Sequence, residues 1–260
     1  MDLPVNRFKR AIREGRQQIG LWCTIPGGTV AEVLAGAGYD WIVFDTEHTP
    51  GDPASVMGQL QAAAPYPVSA VVRPAGNDTA EIKRYLDVGA QTLLIPYVQD
   101  AEEARAAVAA VRYAPAGLRG VSGWTRATRY GRVPDYARRA ADEICLLVQV
   151  ETAEALERID AIAAVDGVDG LFIGPADLAA TMGHAGDPMH PEVVAAVEAA
   201  ICRIRAAGRP AGILTLDRAF AARCMALGTV FTAVGTDGGI LSRGADALRA
   251  AFPDAPSSPA

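Results

Sequence analysis

The chain has 260 residues, half of them hydrophobic, which suits one large single-core domain. A net charge of −6 and the lack of any long basic run exclude nucleic acid as the expected partner, because phosphate neutralisation needs clustered Lys and Arg. No apolar stretch of about 18 residues predicts a membrane span, and the first ten residues lack the apolar core of a signal peptide, so a soluble cytoplasmic protein is expected.

Short apolar runs ending in polar or Gly/Pro punctuation occur at 19–24, 41–45, 68–73, 92–96, 145–150, 170–173, 211–214 and 230–234. Helix-period segments lie between them at 29–37, 55–63, 80–88, 101–111, 153–162, 191–207 and 218–227. Eight alternating units predict a single-domain (β/α)8 barrel over residues 1–252, with a disordered tail at 253–260. The competing doubly wound sheet would need a Gly-x-Gly-x-x-Gly turn after the first strand, and Thr24-Ile25-Pro26-Gly27-Gly28-Thr29 is not one.

Reactive groups of such a barrel project from the carboxyl ends of its strands. The second run, Trp41-Ile42-Val43-Phe44, breaks into Asp45, Glu47 and His48; Asp45 lies three before His48 and is placed to orient it as a general base. Glu47 is expected to support the site from behind its ligands or to lie at an interface, and not to hold the ion. Arg73 ends the third strand, a planar cation suited to a carboxylate or a developing enolate oxygen. Long connections are usually functional, and the Trp- and Arg-bearing segment 112–138 reads as a lid or a subunit contact.

Gln149 and Glu151 end the fifth strand two residues apart and so share its inner face, while Val148 and Val150 point to the helices. Glu151 with Asp177, after the sixth strand, would supply two oxygen ligands to Mg²⁺ or Mn²⁺; an ion pair of Glu151 with Arg73 is the alternative. His184 and His190 read as surface or interface residues of the loop 183–191. The glycine-rich 235–239 segment is a weak candidate phosphate site, opposed by Asp237. Cys23, Cys145, Cys202 and Cys224 form no Cys-x-x-Cys pair, so reduced thiols are expected. Lys9 and Lys83 are the only lysines and neither ends a strand, which disfavours Schiff-base chemistry and favours proton abstraction beside a metal-polarised carbonyl.

The segments Gly38-Tyr39-Asp40-Trp41, Asp45-Thr46-Glu47-His48, Val72-Arg73-Pro74, Asp87-Val88-Gly89-Ala90, Gly117-Leu118-Arg119-Gly120, Val148-Gln149-Val150-Glu151-Thr152 and Gly174-Pro175-Ala176-Asp177 follow one another in an order that resembles the HpcH/HpaI family of metal-dependent (class II) pyruvate aldolases. The resemblance implies a homohexamer, a trimer of dimers, with the last helix exchanged between subunits. It implies a divalent ion (Mg²⁺, Mn²⁺ or Co²⁺) on Glu151 and Asp177, chelated by pyruvate. His48 would be the base with Asp45 as its partner, and Asp87 of a neighbouring subunit would complete their network. Arg73 would meet the pyruvate oxygen, Gln149 and the Ala176 backbone would hold pyruvate, and Trp22 and Leu214 would line the aldehyde side. The implied reaction is reversible cleavage of 4-hydroxy-2-oxo acids to pyruvate and an aldehyde, with oxaloacetate decarboxylation as a side activity.

Thr46, Gly51-Asp52 and Thr236-Asp237-Gly238-Gly239 depart from the family pattern, which bears on the aldehyde and not on the reaction. Trp124, Arg119 and Arg126 would favour an acidic or aromatic aldehyde if they face the site. A lyase acting on a coenzyme A thioester and a catalytically silent binding barrel remain the alternatives.

Overall fold

The computed structural model describes residues 1–252, so the tail expected to be disordered lies outside the described residues. Eight strands follow one another in chain order: β1 (Gln18–Cys23), β2 (Trp41–Asp45), β3 (Ser69–Arg73), β4 (Thr92–Ile95), β5 (Cys145–Val150), β6 (Gly170–Ile173), β7 (Ala211–Leu214) and β8 (Thr229–Thr236). Every neighbouring pair is parallel, and β8 returns to β1, closing the sheet into the expected barrel.

Alternation along the strands sorts the core in two. Trp22, Trp41, Val43, Val71, Leu147, Phe172 and Phe231 fill the barrel interior, whereas Leu21, Ile42, Phe44, Val72, Val148 and Val150 pack under the helices. Two strand glycines make room inside: a side chain at Gly20 would collide with the Trp41 ring, and one at Gly212 with Phe231. Aspartates start many of the helices. The side chains of Asp52, Asp78, Asp100 and Asp217 accept amide hydrogens at the starts of Pro53–Ala63, Thr79–Asp87, Ala101–Val111 and Arg218–Leu227.

The structure differs from the sequence reading at several places, among them the added helices Tyr136–Glu143 and Pro175–Thr181. A helix Arg7–Arg13, capped by Asn6, precedes β1 and closes the amino-terminal end of the barrel. Phe8 meets Trp41 and Phe231 there at ring distances of 5.6 and 5.8 Å; about two turns of periodicity are too few for a sequence window to register. The segment 153–162 is two helices, Ala153–Glu157 and Ile159–Ala163, broken at Arg158. The long connection 112–138 is folded on its own side chains. Its Arg119 is buried, with the guanidinium 4.5 Å from the Tyr113 ring and 5.6 Å from that of Tyr136.

Among the described residues no helix is long and apolar enough to cross a membrane. The final helix, Asp237–Ala250, buries only Asp237 and leaves Ile240, Leu241 and Leu248 exposed.

Candidate active site

The inner columns of the strands turn polar at their carboxyl ends: Trp41 and Val43 lead to Asp45, Val71 to Arg73, and Leu147 to Gln149 and then Glu151. Register decides the first contact. Asp45 stands opposite Arg73 in the β2–β3 ladder, and Nε and Nη2 of Arg73 donate to the two carboxylate oxygens at 2.8 Å each. Both side chains are buried, and the guanidinium lies 4.9 Å from the Trp22 ring. Its Nη1 approaches Glu47 Oε2 at 2.6 Å, so one cation joins two acids.

This corrects the expected pairing of Asp45 with His48 within the chain. The Asp45 carboxylate accepts from Arg73 and from the Glu47 amide, the latter at 3.1 Å. His48 sits beyond the strand with its side chain 66 % exposed, and the acid beside it is Glu47, 3.8 Å from Nε2 to Oε2. Cross-strand register outweighs a three-residue spacing that no regular element enforces. Glu47 stands between Arg73 and His48, and burial pushes its carboxyl above the usual range against the pull of Arg73.

Among the described residues Glu151 is the most enclosed acid, 1 % exposed, and has no cationic partner; Arg73 pairs with Asp45 and Glu47 instead, so the alternative ion pair does not form. The Tyr97 amide donates to its Oε1 at 2.7 Å and the Gln149 side chain to its Oε2. Burial pushes its carboxyl up to about 7; the two hydrogen bonds oppose the shift, and the neighbouring charges of Glu47 and Asp177 add to it. Gln149 Oε1 is buried without a hydrogen-bond partner, and Gly174 backs the pair so closely that a Cβ would strike Glu151. An uncompensated buried carboxylate, two acids close by and an orphaned amide oxygen fit a hard divalent cation. Asp177 lies exposed on the first turn of the helix Pro175–Thr181 and faces the same space.

A cavity of about 320 Å³ gathers these groups. His48, Arg73, Gln149, Glu151, Ala176 and Asp177 line it, and so do Trp22 and Leu214. Sequence reasoning passed over the rest of its apolar wall, notably Phe172, Met189, Leu216 and Phe220. Phe172 was accessible as the inner-face residue two before Gly174; the others lie on loops, where no period marks a direction.

Asp87 does not line the cavity of its own chain. It ends the helix Thr79–Asp87 and receives Arg119 Nη2 at 3.2 Å. No residue of the 113–134 segment lines the cavity in this chain; Arg126 is tied to the Val88 and Leu60 carbonyls. Lys9 pairs with Asp169 at 3.5 Å, and Lys83 lies within the helix Thr79–Asp87. The glycine-rich stretch after β8 binds its own chain: Asp237 is buried and accepts from the Thr24 and Ile25 amides and the Thr24 hydroxyl, which opposes an anion there.

A sequence model described as HpcH/HpaI aldolase/citrate lyase matches residues 18–243. The chain belongs to that family. Among its HpcH/HpaI relatives, a pyruvate aldolase of Rhizobium etli is 66% identical over 97% of this chain and 99% of its own length. A 4-hydroxy-2-oxo-heptane-1,7-dioate aldolase of Salmonella paratyphi B is 57% identical over 95% of this chain and 94% of its own. In three dimensions, an HpcH/HpaI family protein of Burkholderia cenocepacia superposes with a TM-score of 0.91 at 38% identity, over 95% of this chain and 99% of that one.

Proposed function

We propose that this HpcH/HpaI chain is a metal-dependent aldolase that reversibly cleaves 4-hydroxy-2-oxo acids to pyruvate and an aldehyde. Kinship with named aldolases supports the reaction class. The observation that carries the chemistry is the buried, uncompensated Glu151 facing Asp177, His48 and Arg73 across one cavity. Glu151 and Asp177 would hold the ion. When bound, a divalent cation such as Mg²⁺, Mn²⁺ or Co²⁺ supplies a Lewis acid for the keto and carboxylate oxygens of the 2-oxo acid.

The chain's own groups do the rest. Asp45 holds Arg73 in one orientation and occupies two of its five N–H groups, leaving others for the oxygen on which enolate charge develops. Gln149, oriented by Glu151, and the Ala176 backbone border the pyruvate position. In cleavage, His48 takes the proton of the 4-hydroxyl; the C3–C4 electron pair passes to pyruvate, and the aldehyde leaves. Glu47, between His48 and Arg73, is placed to stabilise the imidazolium that results. Trp22, Leu214 and the adjoining apolar wall would receive the aldehyde carbon chain.

Oxaloacetate decarboxylation needs the same enolate stabilisation and no base for the carbon–carbon step, so it is the expected side activity. The exposed apolar residues of Asp237–Ala250 support assembly with exchanged last helices into a homohexamer, in which Asp87 would reach a neighbour's His48. Exchange of pyruvate methyl hydrogens for deuterium tests the central claim. Exchange is expected with Mg²⁺ or Mn²⁺ and should stop with chelator; no exchange under any metal condition would sink the proposal.

A further inference from the structure

Outside the cavity, among the described residues, one cluster of metal-ligating side chains stands apart, shared by the loop 183–190 and the helix that follows it. One nitrogen each of His184 and His190 and one carboxylate oxygen of Glu192 lie within 4.8 Å of one another. His184 Nε2 is 2.9 Å from Glu192 Oε2, and the two imidazoles stack at 3.5 Å with 14° between their planes. The stack leaves the in-plane nitrogen lone pairs of the two rings side by side, so ligation by both has one ring turn about its side-chain bonds. One long hydrogen bond, which His190 Nδ1 accepts from the Glu192 amide at 3.3 Å, holds the His190 ring at the helix start.

The scaffold holds the three groups together without an ion. The His184 amide donates to the Ala179 carbonyl at 2.7 Å, which ties the loop to the preceding helix. The Asp187 amide donates to His184 and the His190 amide to Asp187, at 2.9 and 3.1 Å. Gly183 and Gly186 take φ of 86° and 85°, the left-handed turns that curl His184 back over His190. Glu192 is on the first turn of the 16-residue helix Pro191–Ala206.

We propose that His184, His190 and Glu192 form a second metal site, selective for a borderline ion such as Zn²⁺ or Ni²⁺. Two imidazoles and one carboxylate suit such ions, whereas the oxygen donors Glu151 and Asp177 suit Mg²⁺ or Mn²⁺. An ion bound there would take the place of the His184–Glu192 hydrogen bond and leave further positions to water. Its effect would reach the cavity, because Pro188 and Met189 of the same loop line it. Pinning both ends of that segment fixes one wall of the site.

The test uses the full chain without an affinity tag, stripped of metal, in a Glu151→Ala/Asp177→Ala background that removes the oxygen site. Equilibrium dialysis should show one Zn²⁺ or Ni²⁺ retained per chain and no Mn²⁺. Adding His184→Ala and His190→Ala should weaken retention by at least about tenfold, the loss that even removal of an outer partner brings. No retained ion, or one that survives both histidine substitutions, overturns the site and leaves the pair as a helix cap. A second measurement needs no variant. With Mg²⁺ in excess, Ni²⁺ added to the wild-type protein should broaden the ring signals of His184 and His190 and spare His48, the third of the three histidines. Broadening of His48 alone, or of none, overturns the site equally.

Discussion

Metal binding at Glu151 should release protons, by an amount that the burial of this residue sets. With its carboxyl raised to about 7, the metal-free site is about half protonated at pH 7. A divalent ion binds the carboxylate, so it must displace that proton. Uptake should therefore release about 0.9 proton per site at pH 6, about 0.5 at pH 7 and about 0.1 at pH 8. The direction follows from the raised value: lower pH fills the proton site and competes with the ion. Apparent affinity should accordingly be about tenfold weaker at pH 6 than at pH 8, or about 1.4 kcal/mol. Calorimetric titration of Mg²⁺ or Mn²⁺ in buffers of different ionisation enthalpy reads the proton count directly. Omitting Zn²⁺ and Ni²⁺ keeps the histidine cluster silent. Release that stays near zero from pH 6 to pH 7 would refute the account of Glu151 as an uncompensated buried acid.

Other perturbations separate the roles assigned to the remaining residues. His48→Ala should leave stability within about 0.5 kcal/mol, because the side chain is mostly solvated. It should reduce aldol cleavage by about 10²–10⁴ and oxaloacetate decarboxylation far less, whereas equal losses in the two assays would deny it the role of base. Arg73→Ala strands Asp45 and Glu47 without their shared cation; it should cost about 3–5 kcal/mol in urea unfolding and impair both reactions. Gly20→Ala pushes a methyl group into the Trp41 ring, one layer below the cavity-lining Trp22, so a loss of about 1–3 kcal/mol is expected, with kcat of the residual folded enzyme changed far less than by His48→Ala.

Much of this molecule was written locally. The two-residue period that places Val148 and Val150 outward and Gln149 and Glu151 inward follows from strand geometry alone. Asp52, Asp78, Asp100 and Asp217 announce their helices because a cap acts within three residues. Eight such units, each legible by itself, specify a barrel, and the carboxyl ends of its strands name Asp45, Arg73, Gln149 and Glu151 as inward-facing groups.

Partnership was decided only in three dimensions. Whether Asp45 meets His48 or Arg73 depends on the register of β2 against β3, which residues 28 apart in sequence do not disclose. Burial of Arg119 between Tyr113 and Tyr136, and the stacking of His184 on His190, arise where loops fold back on themselves, and loops carry no period to read. Glu151 could be placed by counting, but the absence of any counter-charge beside it could not. Sequence determined which groups point into the barrel mouth; closure of the barrel determined which charges neutralise one another there and which are left for an ion, because Coulomb energy depends on distance and burial and not on order along the chain.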